Sequence, residues 1–217
     1  MIIPIIYGLG SIGLFLAGIR ALRKIDPDCD IGVDKWKLGL ISSLILFAVV
    51  LLYYQGADTI LFLSYALLMI YLGIETYADL QVGYIYTTFS KGIFALGICI
   101  CIYLYGTNSR GYADVWELFL FECLLYIGLV LVQTGLRLFG RGDSWLYLSL
   151  APFLALVNWR FPLSTLLFHM LLSAVIFLLF HLKEYDFRNM KMKREIPFAP
   201  SIASAAFLVL FIIPQCF

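Results

Sequence analysis

The chain has 217 residues, of which 63% are hydrophobic, 17% aromatic and only 13% charged. This composition excludes an ordinary water-soluble domain, in which about 25% of residues are charged. The net charge of +1 gives no indication of nucleic-acid binding. The lipid bilayer is therefore the solvent in which the chain is expected to fold.

Eight apolar segments follow one another along the chain. They cover residues 2–22, 38–54, 58–78, 84–105, 115–139, 145–159, 163–182 and 198–216. Each is a candidate membrane span, because a helix needs about 20 mostly apolar residues to cross a bilayer. The sixth is short and contains Pro152, which indicates a tilted, kinked or partly spanning helix. The predicted fold is all-α: one polytopic transmembrane domain over residues 1–217, with about eight helices in one bundle and no soluble domain.

The basic residues are distributed unevenly between the two membrane faces. If all eight segments cross, 13 of the 15 Lys and Arg residues fall on one face, and the other face carries only Arg110 and Arg160. Basic loops are retained in the cytoplasm. The odd-numbered loops are therefore predicted to be cytoplasmic, with both termini outside.

The cysteines and histidines do not indicate a metal site. No CxxC pair occurs among the five cysteines, and neither structural zinc nor a disulfide framework is predicted. Four cysteines lie in apolar runs and are predicted to be small buried hydrophobic residues: Cys99, Cys101, Cys123 and Cys216. His169 and His181 lack ligand spacing and are predicted to be packing or interfacial residues. We expect no metal and no cofactor.

Six of the 14 acidic residues have ordinary structural interpretations. Asp58 and Asp114 precede spans and are predicted helix caps, because a carboxylate there accepts from unpaired N–H groups and meets the positive end of the helix dipole. Four others lie among basic residues in the first loop and are predicted to be solvated: Asp26, Asp28, Asp30 and Asp34.

Asp79 differs because it closes the third span. A carboxylate at a helix C-terminus opposes the dipole by up to about 1 kcal/mol. A side chain that simply reaches water would explain it equally well. Glu75 precedes Asp79 by one helical turn and lies on the same face, where it is expected to tune or position Asp79. A partnership with Lys91, or a water-filled crevice, would also explain Glu75.

Asp143 follows two glycines, Gly140 and Gly142, between the fifth and sixth spans. Glycines permit positive φ and close approach of the backbone to another helix, which would hold Asp143 at the head of the sixth span. The alternative is that Asp143 or Ser144 is an ordinary N-cap. Ionisable groups at membrane depth are functional candidates. Two carboxylates sharing one proton can act as general base toward water and as acid toward a carbonyl oxygen.

Three sequence blocks resemble the type IV prepilin peptidases, which are GxGD-type membrane aspartic proteases. The blocks are Asp79-Leu80-Gln81 followed by Ile85, Gly140-Arg141-Gly142-Asp143, and Glu195-Ile196-Pro197-Phe198-Ala199-Pro200. Tyr86-Thr87 stands where that family has Pro-Asn, Trp145 stands at the family's lysine, and Ala199 replaces a glycine. The order, spacing and membrane side of the blocks all agree with that family.

The resemblance implies a membrane-embedded aspartic endopeptidase in which Asp79 and Asp143 are catalytic. Motif and positioning residues would be Gly140, Gly142, Ile85, Pro197 and Glu75. The implied substrate is a prepilin or pseudopilin with a short basic leader and a hydrophobic helix, cut after a glycine at the cytoplasmic face of a prokaryotic plasma membrane. The expected partners are this substrate and the lipid bilayer, with no nucleic acid.

Full-length members of that family carry a cytoplasmic domain with paired CxxC motifs between their first two spans, associated with N-methylation. Here that region is only residues 23–37, with the single Cys29. We therefore expect peptidase activity without methyltransferase activity. Two alternatives remain: an inactive relative or scaffold of a pilus or secretion system, and a transporter in which Glu75, Asp79 and Asp143 form an ion path. No inverted halves are apparent, which disfavours the transporter.

Overall fold

The computed structural model describes residues 2–25, 32–56, 58–107, 115–136, 140–181, 185–186, 191–192 and 196–212. The helices are α1 (Ile2–Ile25), α2 (Lys35–Tyr54), α3 (Thr59–Val82), α4 (Thr87–Gly106), α5 (Trp116–Gly135), α6 (Arg141–Ala155), α7 (Pro162–His181) and α8 (Ala199–Ile212). Two short strands, β1 (Tyr185–Asp186) and β2 (Lys191–Met192), pair antiparallel between α7 and α8. The predicted all-α fold with about eight helices is confirmed.

Several residues that were named above, or that belong to the 13 basic residues assigned to one face, lie outside the described residues. They are Asp26, Asp28, Cys29, Asp30, Arg110, Asp114, Arg137, Lys183, Arg188, Lys193, Arg194, Glu195 and Cys216.

Six of the described helices, α1 to α5 and α7, are long and apolar enough to cross a membrane. Many of their outward side chains are large and apolar, such as Leu171 and Phe180, which suits contact with lipid. The chain is a membrane protein. The two shorter helices are α6, with 15 residues, and α8, with 14.

Two helix boundaries differ from the predicted segments in a way that matters for the site. Helix α3 continues to Val82 rather than ending at residue 78, and α6 begins at Arg141 rather than 145. Hydropathy marks where the apolar run stops, whereas backbone hydrogen bonding continues until a residue breaks it. Asp79 and Asp143 consequently lie within helices and not in the adjoining loops.

The contacts divide the chain into two compact units, Met1–Tyr84 and Ile85–Cys216. In the first unit α1, α2 and α3 pack against one another. Helix α3 is by far the most buried of the three. In its apolar 18-residue stretch 72% of the residues are buried inside the protein, against 28% in α1 and in α2. The helix that carries Asp79 is therefore largely shielded from lipid.

In the second unit α6 is the central helix. It contacts α4, α5, α7 and α8, and its residues from Leu146 to Ala155 are all buried. This position accounts for the short sixth segment with its internal Pro152, because a helix enclosed by other helices does not have to match the bilayer by itself.

Alternate helices of the second unit begin at the same end of that unit. Lys91 near the start of α4 lies over the ring of Trp145 near the start of α6. Glu122 in the first half of α5 accepts a hydrogen bond from the backbone of Leu163 at the start of α7. Such alternation is what consecutive membrane crossings produce.

Two sequence predictions about side-chain burial need correction. Cys101 is buried but Cys99 is exposed and Cys123 is only partly buried, because residues two positions apart point to opposite sides of a helix. Asp34 keeps 39% of its side chain exposed but has a role that was not predicted: it is the N-cap of α2, and its carboxylate accepts from the backbone N–H groups of Trp36 and Lys37 at 3.0 and 3.2 Å.

Candidate functional site

Asp79 lies in the last turn of α3, and the turn that ends this helix depends on a glycine. Gly83 adopts a left-handed conformation with φ of 65°, and its N–H donates to the carbonyl of Asp79 at 2.9 Å. A residue with a side chain rarely adopts this conformation. The sequence therefore ends α3 just after Asp79 and keeps the aspartate helical.

The acidic face of α3 is buried. Glu75 has no exposed surface and Asp79 is only 6% exposed. The alternative in which the Asp79 side chain simply reaches water is therefore wrong. Two acidic side chains one turn apart on a buried helix face are rare, since ionised groups are costly to bury. Their presence indicates a functional or electrostatic role.

The C-terminal end of α3 receives a positive charge from the neighbouring helix. The Lys37 ammonium group donates to the Leu80 carbonyl at 3.1 Å. This carbonyl is one of the last four of the helix, which lack partners within it. A cation here offsets the dipole that opposes the carboxylate of Asp79.

Asp143 lies in the first turn of α6, whose N-cap is Gly140. Its position is electrostatically opposite to that of Asp79, because a helix N-terminus attracts negative charge. Neither Asp143 nor Ser144 is the N-cap, so that alternative is wrong. Ser144 instead donates to the Gly140 carbonyl at 3.0 Å and accepts from the Thr134 hydroxyl of α5 at 2.6 Å.

Gly140 leaves space for the carboxylate of Asp143. A Cβ atom at position 140 would lie 3.0 Å from Oδ2 of Asp143. Its φ of −63° lies in the ordinary region, so the expected positive φ is wrong for this glycine. The glycine therefore gives room beside the carboxylate, and a larger residue would make the Asp143 side chain shift by a few tenths of an ångström.

Gly142 allows a close approach between two of the predicted motifs. A Cβ atom at position 142 would lie 3.0 Å from Cβ of Ile85. Ile85 is buried and immediately precedes Tyr86, the N-cap residue of α4. Gly142 is therefore closely approached, but by Ile85 in the connection between α3 and α4 and not by a residue within another helix, as had been expected.

The third block also adjoins α6. Pro197 and Phe198 directly precede α8, and the Phe198 ring packs edge-on against Phe177, with centroids 4.7 Å apart, and lies 6.3 Å from Tyr147. Tyr147 is one turn after Asp143. Ala199 is fully buried, which explains why this position holds a small residue.

Trp145 and Lys91 form a cation–π pair. The Lys91 ammonium group lies 5.0 Å from the ring centroid of Trp145. Lys91 thereby brings a positive charge from α4 to the start of α6. Such pairs stabilise by about 0.5–1 kcal/mol at exposed sites.

Sequence reasoning missed the role of Glu122. Its Oε2 atom accepts from the N–H of Leu163 at 2.8 Å, so a side chain of α5 caps the start of α7. Only the tertiary fold could reveal this, because the two residues are distant in sequence. His169 agrees with its predicted packing role: it is fully buried, and Nε2 bonds the Ile202 carbonyl at 3.1 Å.

Comparisons with protein-family models, curated proteins and solved structures found no match to this chain. The resemblance to prepilin peptidases therefore stays a prediction. In the second unit the structure brings Ile85 against Gly142 and the Asp143 carboxylate against Gly140. In the first unit it holds Glu75 and Asp79 on one buried face of α3.

Proposed function

We propose that this membrane protein is an aspartic endopeptidase that removes the leader of type IV prepilin-like proteins. The observation that best supports the proposal is the contact between Ile85 and Gly142. Ile85 belongs to the first sequence block, with Asp79, and Gly142 belongs to the second, with Asp143. Only the resemblance to prepilin peptidases had suggested that these two blocks belong to one site. A chance likeness in short motifs would not require their residues to touch.

The proposed chemistry uses Asp79 and Asp143 as one acid and one base. One carboxylate accepts a proton from water, which attacks the scissile carbonyl carbon, while the other carboxyl group protonates the carbonyl oxygen. Collapse of the tetrahedral intermediate then breaks the C–N bond, and the leaving amine takes up a proton. The pair acts as a unit whose proton is shared.

The proposed substrate is a prepilin or pseudopilin whose basic leader precedes a hydrophobic helix. The hydrophobic helix stays in the bilayer, and the leader lies at the cytoplasmic face of a prokaryotic plasma membrane. Both aspartates lie at helix ends rather than in the middle of apolar segments, which suits a scissile bond close to the membrane surface. The short α1–α2 connection supports peptidase activity without N-methylation.

Cleavage of a prepilin-like protein in nanodiscs tests the proposal. The purified chain is incubated with a prepilin-like substrate, and the product is identified by mass spectrometry. We expect a single cut between the leader and the hydrophobic helix, after a glycine. An intact substrate, with the two proteins still co-purifying, would favour the scaffold alternative.

A further inference from the structure

We infer that Tyr77 and Lys37 are positioning residues for Asp79, because Tyr77 ties the C-terminal part of α3 to the chain that joins α1 and α2, and Lys37 ties the last turn of α3 to the start of α2. The kinetic consequence of this inference rests on the proposed function. Its structural part concerns only residues of the first unit and is testable without a substrate.

Tyr77 holds the α1–α2 connection through one hydroxyl group. The hydroxyl donates to the Gly32 carbonyl at 2.7 Å and accepts from the Asp34 N–H at 3.1 Å. The side chain is fully buried, and its ring lies edge-on to Phe15 with centroids 6.5 Å apart. The hydroxyl is thus fixed in direction, and its position near the end of α3 is coupled to the start of α2.

Tyr77 and Asp79 point to nearly opposite sides of α3, because residues two apart in a helix do not face each other. The hydrogen bonds of Tyr77 therefore restrain α3 on the side opposite Glu75 and Asp79, and they leave the face of these two residues to other contacts. This arrangement suits a support for a catalytic side chain, since it restrains the helix without occupying the carboxylate.

Lys37 makes a second tie at the same end of α3. Its ammonium group donates to the Leu80 carbonyl at 3.1 Å and lies 3.8 Å from the carboxylate of Asp34. The carbonyl of Asp79 already accepts from Gly83, so two successive carbonyls of the last turn are held, one by the cap residue of α3 and one by a side chain of α2. Fraying of this turn would reorient Asp79, and both bonds oppose it.

Arg23 links the end of α1 to the same point. Its guanidinium group donates to the Gly32 carbonyl at 2.8 Å, so this one carbonyl accepts from α1 and from α3. The ends of α1 and α3 and the start of α2 are thus joined by hydrogen bonds around Gly32 and Asp34.

Hydrogen–deuterium exchange of the full-length chain in nanodiscs tests the ties directly. The variants are Tyr77→Phe, which removes only the hydroxyl, Lys37→Met, and Lys37→Arg, which keeps a donor. Lys35→Met is the matched control, because Lys35 is an exposed lysine on the same turn of α2. We expect faster exchange over residues 77–84 in Tyr77→Phe and Lys37→Met, and wild-type exchange in Lys37→Arg and Lys35→Met. Unchanged exchange in Tyr77→Phe would overturn the inference.

Cleavage kinetics of the same variants separate positioning from simple support of the fold. We expect kcat to fall about 10- to 100-fold in Tyr77→Phe and Lys37→Met with KM within about twofold of wild type, because a misplaced reacting group slows chemistry and not binding. Lys37→Arg should recover most of kcat. Faster exchange with unchanged kcat would overturn the positioning role. If the wild type cuts no substrate, the proposed function fails, while the exchange measurement still decides whether the ties exist.

Discussion

Asp79 lies at the C-terminal end of its helix and Asp143 at the N-terminal end of its helix. The surroundings of the two carboxylates therefore stabilise a negative charge in different ways. Asp143 is in the first turn of α6, where the dipole favours a negative charge, and Gly140 gives its carboxylate room. Asp79 is in the last turn of α3, where the dipole opposes a negative charge and Lys37 supplies a cation. Two carboxylates in unlike surroundings suit a division into acid and base.

Replacement of either aspartate by asparagine should abolish processing of a co-expressed prepilin. Asp79→Asn and Asp143→Asn each remove one proton-transfer partner while changing little packing, so the variants should remain inserted and abundant. The double variant should be no worse than either single one, because members of a unit lose activity non-additively. Immunoblots of substrate and enzyme from the same cells measure both quantities.

Two further substitutions in or beside α3 serve as comparisons for the aspartate variants. Glu75→Gln should reduce processing less than Asp79→Asn, since Glu75 is expected to tune the site rather than transfer a proton. Asp58→Asn, at the N-cap of α3, should keep full processing and change the free energy of unfolding by less than about 1 kcal/mol, because the Asp58 side chain makes no capping hydrogen bond and asparagine is an equally good N-cap residue. Complete processing by Asp79→Asn or by Asp143→Asn would eliminate the protease mechanism and favour the scaffold.

The contact of Gly142 with Ile85 predicts an unusual cost for a small substitution. Gly142→Ala should destabilise the protein by about 1–3 kcal/mol, because Cβ of Ile85 is attached to the backbone and cannot rotate away. Gly92→Ala is the control: no atom lies within 4 Å of a Cβ there, and the helix gains about 0.5–1 kcal/mol from alanine. Thermal unfolding in detergent compares them. Equal midpoints would contradict the close approach.

At the scale of elements, the second unit is organised around α6 and is closed by contacts between helices. The Cys101 thiol of α4 donates to the Pro152 carbonyl of α6 at 3.6 Å, and Gly97 packs directly on Pro152. Proline in a helix interior removes one backbone donor. A central helix tolerates the missing donor because the helices around it shield its backbone from lipid.

The capping of α7 by Glu122 gives a prediction at this scale. Glu122→Leu should lower the unfolding free energy by about 1–2 kcal/mol, because the N–H of Leu163 loses a charged acceptor at a helix N-terminus. Glu117→Leu is the matched control on an exposed position of the same helix. Both variants should keep processing activity, since neither residue belongs to the proposed machinery. A loss of stability shared equally by the two variants would refute the capping role.

At the scale of the whole molecule, the distribution of the basic residues predicts the orientation in the membrane. In a variant without native cysteines, Lys35→Cys should be protected from an impermeant maleimide in intact cells, whereas Asp58→Cys should be labelled. Both positions flank described helices, at the start of α2 and at the N-cap of α3. Reaction of Lys35→Cys from outside would reverse the topology and place the proposed site on the wrong face.

The proposed chemistry also requires Asp79 and Asp143 to meet in the membrane. We expect a short bifunctional maleimide to cross-link cysteines at positions 79 and 143 and not the pair at 58 and 143. Unbound catalytic groups are often somewhat apart, so a reagent spanning several ångströms is preferable to direct oxidation. Failure of the 79–143 cross-link in nanodiscs, with both cysteines reactive singly, would rule out a carboxylate pair.

The membrane-helical fold could be predicted from the sequence alone. Composition determines the solvent, and long apolar runs determine the number of helices, because in lipid every backbone group must be paired within its own segment. Asp79 and Asp143 could also be identified from the sequence as candidate site residues, since few charged residues lie beside the apolar segments. Chemical identity and local order in the chain are sufficient for all of these predictions.

The tertiary structure alone decided where the helices end and which side chains support the site. The end of α3 at Val82 depends on the backbone conformation of Gly83. The contact of Gly142 with Ile85 and the two hydrogen bonds of the Tyr77 hydroxyl join residues that are distant in sequence. Hydropathy could not indicate that Glu122 caps α7. Such interactions depend on which helix surfaces pack together after folding, and a single sequence does not show which distant residues come into contact.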